Sequence, residues 1–249
     1  MTTKPTTLIT GAAKRIGAAI ARHLAAQGHD LVLHYNQSHD AAETLAEALR
    51  AQDTKVTLVR ADLEHLPERE AFWRHLPACT TIIHNASRYA RDRIDNFTAA
   101  DLRSHLAVNL EAPLVLTQGF LLQLPAGLAG NVIMLGDDAL GWSNSPEFFT
   151  YAVSKHSWSS LVDLMAAACA PNVRMNMIAL AATLPGAVDG EAMFKRLAER
   201  SPLKRTGEVA EVLAAIDFVL ASPGLTGQRI GLGNGMALTT SRALKQQLS

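Results

Sequence analysis

Short apolar runs rich in branched residues alternate along this chain with longer amphipathic stretches, which is the pattern of strands and helices in turn. The strand-like runs are Thr7–Thr10, Asp30–Tyr35, Lys55–Val59, Thr80–His84, Asn131–Leu135, Val173–Ile178 and Gln228–Leu232. Helical spacing is read over Ile16–Gln27, Ala41–Gln52, Ala99–Leu122, Tyr151–Ala170 and Glu208–Ala221. The alternation predicts stacked βαβ units, that is, a seven-stranded parallel sheet with helices on both faces. With 249 residues and 48% hydrophobic composition the chain can bury one large core, and no linker, repeat or low-complexity tract divides it. A single α/β domain over residues 1–249 is expected. The least patterned stretch, Ala181–Pro202, is interrupted by Pro185, Gly186 and Gly190. It is expected to be a substrate-binding loop or lid.

Charge narrows the partners. Lys plus Arg equals Asp plus Glu at 23 each, so no net field favours nucleic acid, and no block of like charge suggests a membrane surface. A small-molecule partner is expected. The N-terminal residues lack an apolar signal core, and no uninterrupted apolar run reaches the roughly 18 residues of a membrane span, so the expected location is cytoplasmic. Cys79 and Cys169 read as buried reduced thiols. His34, His84, His105 and His156 are scattered without ligand spacing, so no metal is expected.

The chemistry concentrates in Tyr151 and Lys155, with Asp138 thirteen residues before the tyrosine. Residues four apart share a helix face, so the Lys155 ammonium is expected under the Tyr151 phenol, pulling its pKa from about 10 toward neutrality. That gives a proton donor usable near pH 7. An ionised Asp138 accepts hydrogen bonds but cannot donate one to a ketone oxygen, which disfavours ordinary carbonyl reduction. Asp137 is the rival carboxylate, and alternation along an extended chain would point it to the side opposite Asp138.

The first strand runs straight into Thr10-Gly11-Ala12-Ala13-Lys14-Arg15-Ile16-Gly17 and then a helix, the place where an open parallel sheet takes a dinucleotide pyrophosphate. The second strand ends His34-Tyr35-Asn36-Gln37-Ser38-His39, with no acid to grip a bare ribose. Together with Lys14, Arg15 and Ser38 this favours the 2′-phosphate of NADP, with Asp40 or a water-bridged contact as the alternative that would favour NAD.

These residues in this order, with Asp62 after strand three, Asn85-Ala86 after strand four, and Asn109, resemble the short-chain dehydrogenase/reductase family over essentially the whole chain. The resemblance implies a Rossmann-type doubly wound domain and a nicotinamide cofactor, here NADPH. It implies that Gly11, Lys14, Arg15, Ile16, Gly17, Tyr35, Asn36, Ser38, Asp62, Asn85, Ala86, Ser87, Tyr151 and Lys155 meet the cofactor. Asp62 would contact the adenine, although capping a helix is its simpler role. Asn109 would prop a water linking Lys155 to solvent, or serve only as a satisfied polar residue among packed helices. The family's oligomers imply a dimer or tetramer through the helices beginning near Ala99 and Tyr151.

Within that family three features resemble the pteridine reductases: Arg15 inside the glycine turn, Asn85-Ala86-Ser87-Arg88-Tyr89 after strand four, and Asp138 in the usual place of a serine. The likeness implies that Arg15, Ser87, Tyr89, Asp138 and Tyr151 meet a pterin, with Tyr89 near its ring. The implied reaction is NADPH-dependent reduction of a C=N bond in a dihydromonapterin, dihydrobiopterin or dihydrofolate type of substrate. The catalytic set would be Asp138, Tyr151, Lys155 and Asn109. Three departures stand out: Asn176-Met177-Ile178-Ala179-Leu180-Ala181 passes through the end of strand six without the usual Pro-Gly, Pro185-Gly186 coming later; Gly231-Leu232-Gly233-Asn234-Gly235 replaces the usual C-terminal motif; and Gln37 stands where several pteridine reductases carry arginine. A generic carbonyl reductase and a non-catalytic NADP-binding regulator remain the alternatives.

Overall fold

The computed structural model describes residues 4–66, 69–138, 147–186 and 190–237. Seven parallel strands form one sheet: β1 (Thr6–Ile9), β2 (Asp30–Tyr35), β3 (Val56–Arg60), β4 (Thr81–His84), β5 (Gly130–Asp137), β6 (Val173–Leu180) and β7 (Arg229–Leu232), in the order β3-β2-β1-β4-β5-β6-β7. This is the doubly wound arrangement, and the order reverses between β1 and β4, where the carboxyl ends of the strands open a crevice.

Consecutive strand residues point to opposite faces, and the core divides accordingly. Leu8, Ile82, Val132 and Met134 pack with Leu116 and Phe120 of helix α5 (Ala112–Gln123) and Trp158 and Val162 of α6 (Phe149–Cys169). Their neighbours Ile9, Ile83 and Ile133 pack on the other face with Ile20 and Leu24 of α1 (Arg15–Ala26), Leu45 of α2 (His39–Arg50) and Val212 and Ile216 of α8 (Val209–Ala221). A short helix α3 (Arg69–Trp73) follows β3. Among the described residues no helix is long and apolar enough to cross a membrane.

Two stretches depart from the expected pattern. The run Ala99–Leu122 is not one regular helix: α4 (Ala99–Leu106) passes through a π-helical turn at Ala107–Glu111 into α5. Pro113 is the cause, because it has no N–H to give the Asn109 carbonyl four residues earlier. The freed carbonyl accepts instead from the Trp158 indole Nε1 at 2.7 Å. The supposed loop Ala181–Pro202 contains helix α7 (Gly190–Arg200). Its half-buried positions Met193, Phe194, Leu197 and Ala198 have helical spacing that the flanking Pro and Gly obscure.

Candidate active site

The crevice is built on the glycine turn. Gly11 adopts φ +63, and a Cβ on Gly17 would lie 2.3 Å from the Gly11 carbonyl oxygen and 2.7 Å from Asn85 Nδ2. Thr10 Oγ1 accepts from the backbone amides of Asn85 and Ala86, each at 3.0 Å. Asn85 Nδ2 returns hydrogen bonds to the carbonyls of Thr10 (2.8 Å) and Gly11 (2.9 Å). Asn85 therefore spends its amide protons on holding the turn. Sequence reasoning missed a second brace: His34 Nε2 donates to the Ala61 carbonyl at 3.1 Å, and its Nδ1 accepts from Gly11 N at 3.1 Å. Burial keeps that imidazole neutral, lowering its pKa to about 4.

Beside the turn, Gly11, Ala13, Lys14, Tyr35, Asn36, Gln37 and Ser38 line a cavity of about 360 Å³. Its lining offers an ammonium, amides and a hydroxyl but no carboxylate, a donor set that fits a phosphate-bearing ribose. Ile16 lies half-buried in the first turn of α1. Asp62 stands at the neighbouring strand end, where it caps a turn by accepting from Glu64 N (3.0 Å) and takes a hydrogen bond from Asn36 Nδ2 (3.2 Å). Arg15, in the left-handed region at φ +55, reaches across the crevice to donate to the Pro185 carbonyl at 2.8 Å. It ties the turn to the segment that follows β6.

Tyr151 and Lys155 lie in the first turns of α6 and are both buried. The Tyr151 hydroxyl donates to Asp137 Oδ2 at 3.0 Å. This corrects the expectation for Asp138: its carboxylate accepts from Arg229 Nη2 at 3.1 Å and lies over Gly231 and Gly233 of the β7 end. A counter-ion and the room left by two absent side chains draw Asp138 sideways, so strict alternation stops at the end of the sheet and Asp137 faces the helix. The expected depression of the phenol is also reversed. Burial first, and then the Asp137 charge, raise the Tyr151 pKa well above its ordinary value. Lys155 Nζ lies 6.0 Å from the Tyr151 ring centroid and donates to the Leu135 carbonyl at 3.3 Å; burial lowers its pKa to about 8, opposed by Asp137. The phenol is thus a neutral donor held on a carboxylate, with an ammonium close by.

Asn109 is completely buried and fully engaged. Its Oδ1 accepts from Ser87 Oγ (3.1 Å) and Arg88 N (2.8 Å), and its Nδ2 donates to the Arg88 carbonyl (3.0 Å) and Ser154 Oγ (2.9 Å). It fastens the segment after β4 to α6, while its own carbonyl is taken by Trp158. That segment carries Tyr89, whose ring stacks on Phe148 at 4.4 Å and 10° and stands edge-on to Tyr151 at 4.8 Å and 86°. Arg91 lies over the far ring, 5.4 Å from the Phe148 centroid. Phe148 is a further contributor that no sequence motif marks.

Comparison with known proteins identifies the frame in which this site is set. A dihydromonapterin reductase of Klebsiella pneumoniae is 26% identical over 237 residues, covering 93% of this chain and 96% of its own. The uncharacterised oxidoreductase YmfI of Bacillus subtilis is 27% identical over 242 residues, covering 92% of this chain and 98% of its own. Among solved structures, FolM alternative dihydrofolate reductase 1 from Brucella suis, in complex with NADP, superposes with a TM-score of 0.85 at 30% identity over 94% of this chain and 95% of that one. The family model for short chain dehydrogenase matches residues 5–200. Glycine turn, doubly wound sheet and the Tyr151–Lys155 helix thus sit in one matched frame, and the chain belongs to the short-chain dehydrogenases.

Proposed function

We propose that this oxidoreductase is an NADPH-dependent pteridine reductase that reduces a C=N bond of a dihydropterin to the tetrahydro form. One observation carries the reading: the Tyr151 hydroxyl rests on the carboxylate of Asp137 rather than beside a neutral hydroxyl donor. A carboxylate accepts from N–H groups, which a pterin's amine and ring nitrogens supply and a simple ketone does not. The pterin and folate activities in the names of the relatives support the same substrate class.

NADPH, when bound, supplies the hydride to the C=N carbon. The cavity of Lys14, Tyr35, Asn36 and Ser38 would hold its phosphorylated ribose, the glycine turn its pyrophosphate, and Asp62 its adenine side. Ser87, Ala86 and Asn85 would line the remainder. Asp137 accepts a substrate N–H and fixes the ring's orientation, while Tyr151 gives its hydroxyl proton to the ring nitrogen, so hydride and proton together convert C=N into CH–NH. Lys155 stabilises the phenolate that remains. Tyr89, backed by Phe148, offers a flat wall for the bicyclic ring, and Arg15 closes the pocket from the β6 side. Asn109 holds the walls in place. The reading includes a homo-oligomer, as the family resemblance implies.

The test is NADPH oxidation by wild type and Tyr151→Phe with 7,8-dihydromonapterin, 7,8-dihydrobiopterin, dihydrofolate and a panel of ketones. Pterin turnover that Tyr151→Phe removes, with NADPH still bound, is the expected result. Turnover of ketones alone would overturn the pterin reading.

A further inference from the structure

Thr150, the residue just before Tyr151, is completely buried, and two other buried polar side chains meet it. One is Asp92, from the segment after β4; the other is His105, from α4. Thr150 donates twice to Asp92, through its backbone N to Oδ1 at 2.8 Å and through its hydroxyl to Oδ2. His105 Nδ1 lies 2.8 Å from Thr150 Oγ1 and 3.1 Å from the Asp101 carbonyl, and its Nε2 accepts from Ala90 N at 3.3 Å.

These contacts can be satisfied in one direction only. Because Ala90 N–H must donate to Nε2, the imidazole proton sits on Nδ1, shared between the Asp101 carbonyl and Thr150 Oγ1, and the Thr150 hydroxyl gives its own proton to the Asp92 carboxylate. The chain runs from backbone amide through imidazole and hydroxyl to carboxylate without an orphan. Asp92 also acts through its main chain, donating to the Glu147 carbonyl at 3.0 Å and accepting from Phe149 N at 3.2 Å. It thereby supplies the N-terminal acceptor that Phe148, at the cap position of the 21-residue helix α6, cannot provide. The His105 ring meets Tyr151 edge-on at 6.2 Å and 70°.

We propose that Asp92, Thr150 and His105 form a positioning unit that fixes the first turn of α6, and through it the Tyr151 hydroxyl, at the reacting atoms. The unit touches no substrate; it acts through Tyr151 and so rests on the reading of that phenol as proton donor. Burial biases His105 toward its neutral form, which the chain requires. Two substitutions break the directionality without emptying space. Thr150→Val removes the hydroxyl in an isosteric shape, and Asp92→Asn places an amide where two acceptors are needed.

The experiment compares wild type, Thr150→Val, Thr150→Ser and Asp92→Asn in NADPH-dependent turnover, with melting curves to show that each is folded. Thr150→Val and Asp92→Asn are expected to lose about tenfold or more in kcat with the NADPH KM within about twofold, since a small misplacement of a reacting group costs rate and not cofactor binding. Thr150→Ser, which restores the hydroxyl, is expected within about threefold of wild type. Wild-type kcat in Thr150→Val, or equal losses in the Ser and Val variants, would overturn the proposal. If the wild type turns over neither pterins nor ketones, the functional reading fails on its own. The positioning claim is then decided by ultraviolet titration of the three tyrosines. Burial and the Asp137 carboxylate raise the Tyr151 phenol, so a displaced first turn that loosens that contact must let it fall in Thr150→Val but not in Thr150→Ser. An unmoved midpoint in Thr150→Val refutes it.

Discussion

Acidification should destabilise this protein well before its carboxylates titrate, with His34 and His84 contributing about 2 kcal/mol each. Both rings are buried, and burial lowers their pKa values from 6.5 to about 4 for His34 and about 3 for His84. With the folded pKa below the unfolded one, the unfolded chain takes up protons first as pH falls below about 6.5. The stability held by each neutral ring is therefore complete above that value and lost progressively as pH drops toward the folded pKa. Each proton bound only by the unfolded chain costs about 1.4 kcal/mol per pH unit. Between pH 7.5 and pH 5.0 that amounts to about 2 kcal/mol for each ring, about 4 kcal/mol together, a large part of the 5–15 kcal/mol typical of a folded domain. Urea denaturation followed by circular dichroism at the two pH values measures it. His34→Gln isolates the His34 share, because an amide can accept from Gly11 N and donate to the Ala61 carbonyl as the imidazole does but does not titrate. The variant should lose about 2 kcal/mol less than wild type over the same interval. Equal losses in the two proteins would refute the assignment of His34 as a neutral brace of the glycine turn.

Gly17→Ala should raise the NADPH KM by about tenfold or more, because a Cβ 2.3 Å from the Gly11 carbonyl must push the turn apart; equilibrium binding of NADPH checks this. Trp158→Phe should cost about 1–3 kcal/mol in urea denaturation, since it leaves the buried Asn109 carbonyl, already deprived of a helical donor by Pro113, without its indole partner. Arg229→Ala should change stability by no more than about 1 kcal/mol, because its pair with Asp138 is part-exposed at 40% on the arginine side, and melting curves of wild type and variant measure it.

The sheet was legible because its signal is redundant: seven branched runs, each bounded by turns, predict seven strands within a few residues of those observed. The glycine turn was legible for a similar reason, since close approach of backbone to backbone demands Gly11 and Gly17 whatever surrounds them. What escaped were choices settled by residues far away in sequence. Asp137 and Asp138 are chemically identical neighbours, and among the described residues it is Arg229 with Gly231 and Gly233, some ninety residues later, that holds the second of them off the site. The direction of the Tyr151 shift escaped because Y-x-x-x-K spacing reveals the lysine and conceals the burial. His34 read only as one of several histidines without ligand spacing, since its partners Gly11 and Ala61 offer only backbone. The helix Gly190–Arg200 carries an apolar stripe, but the Pro and Gly before it read as loop.

The most direct test of the account is to measure kcat for dihydropterin reduction in Asp137→Asn and Asp138→Asn side by side. Loss of the carboxylate that holds Tyr151 should lower kcat by about a hundredfold or more with the NADPH KM little changed, whereas Asp138→Asn should stay within about threefold of wild type. The opposite ranking, with Asp138→Asn the inactive protein, would contradict the assignment of Asp137 as the carboxylate of the reaction.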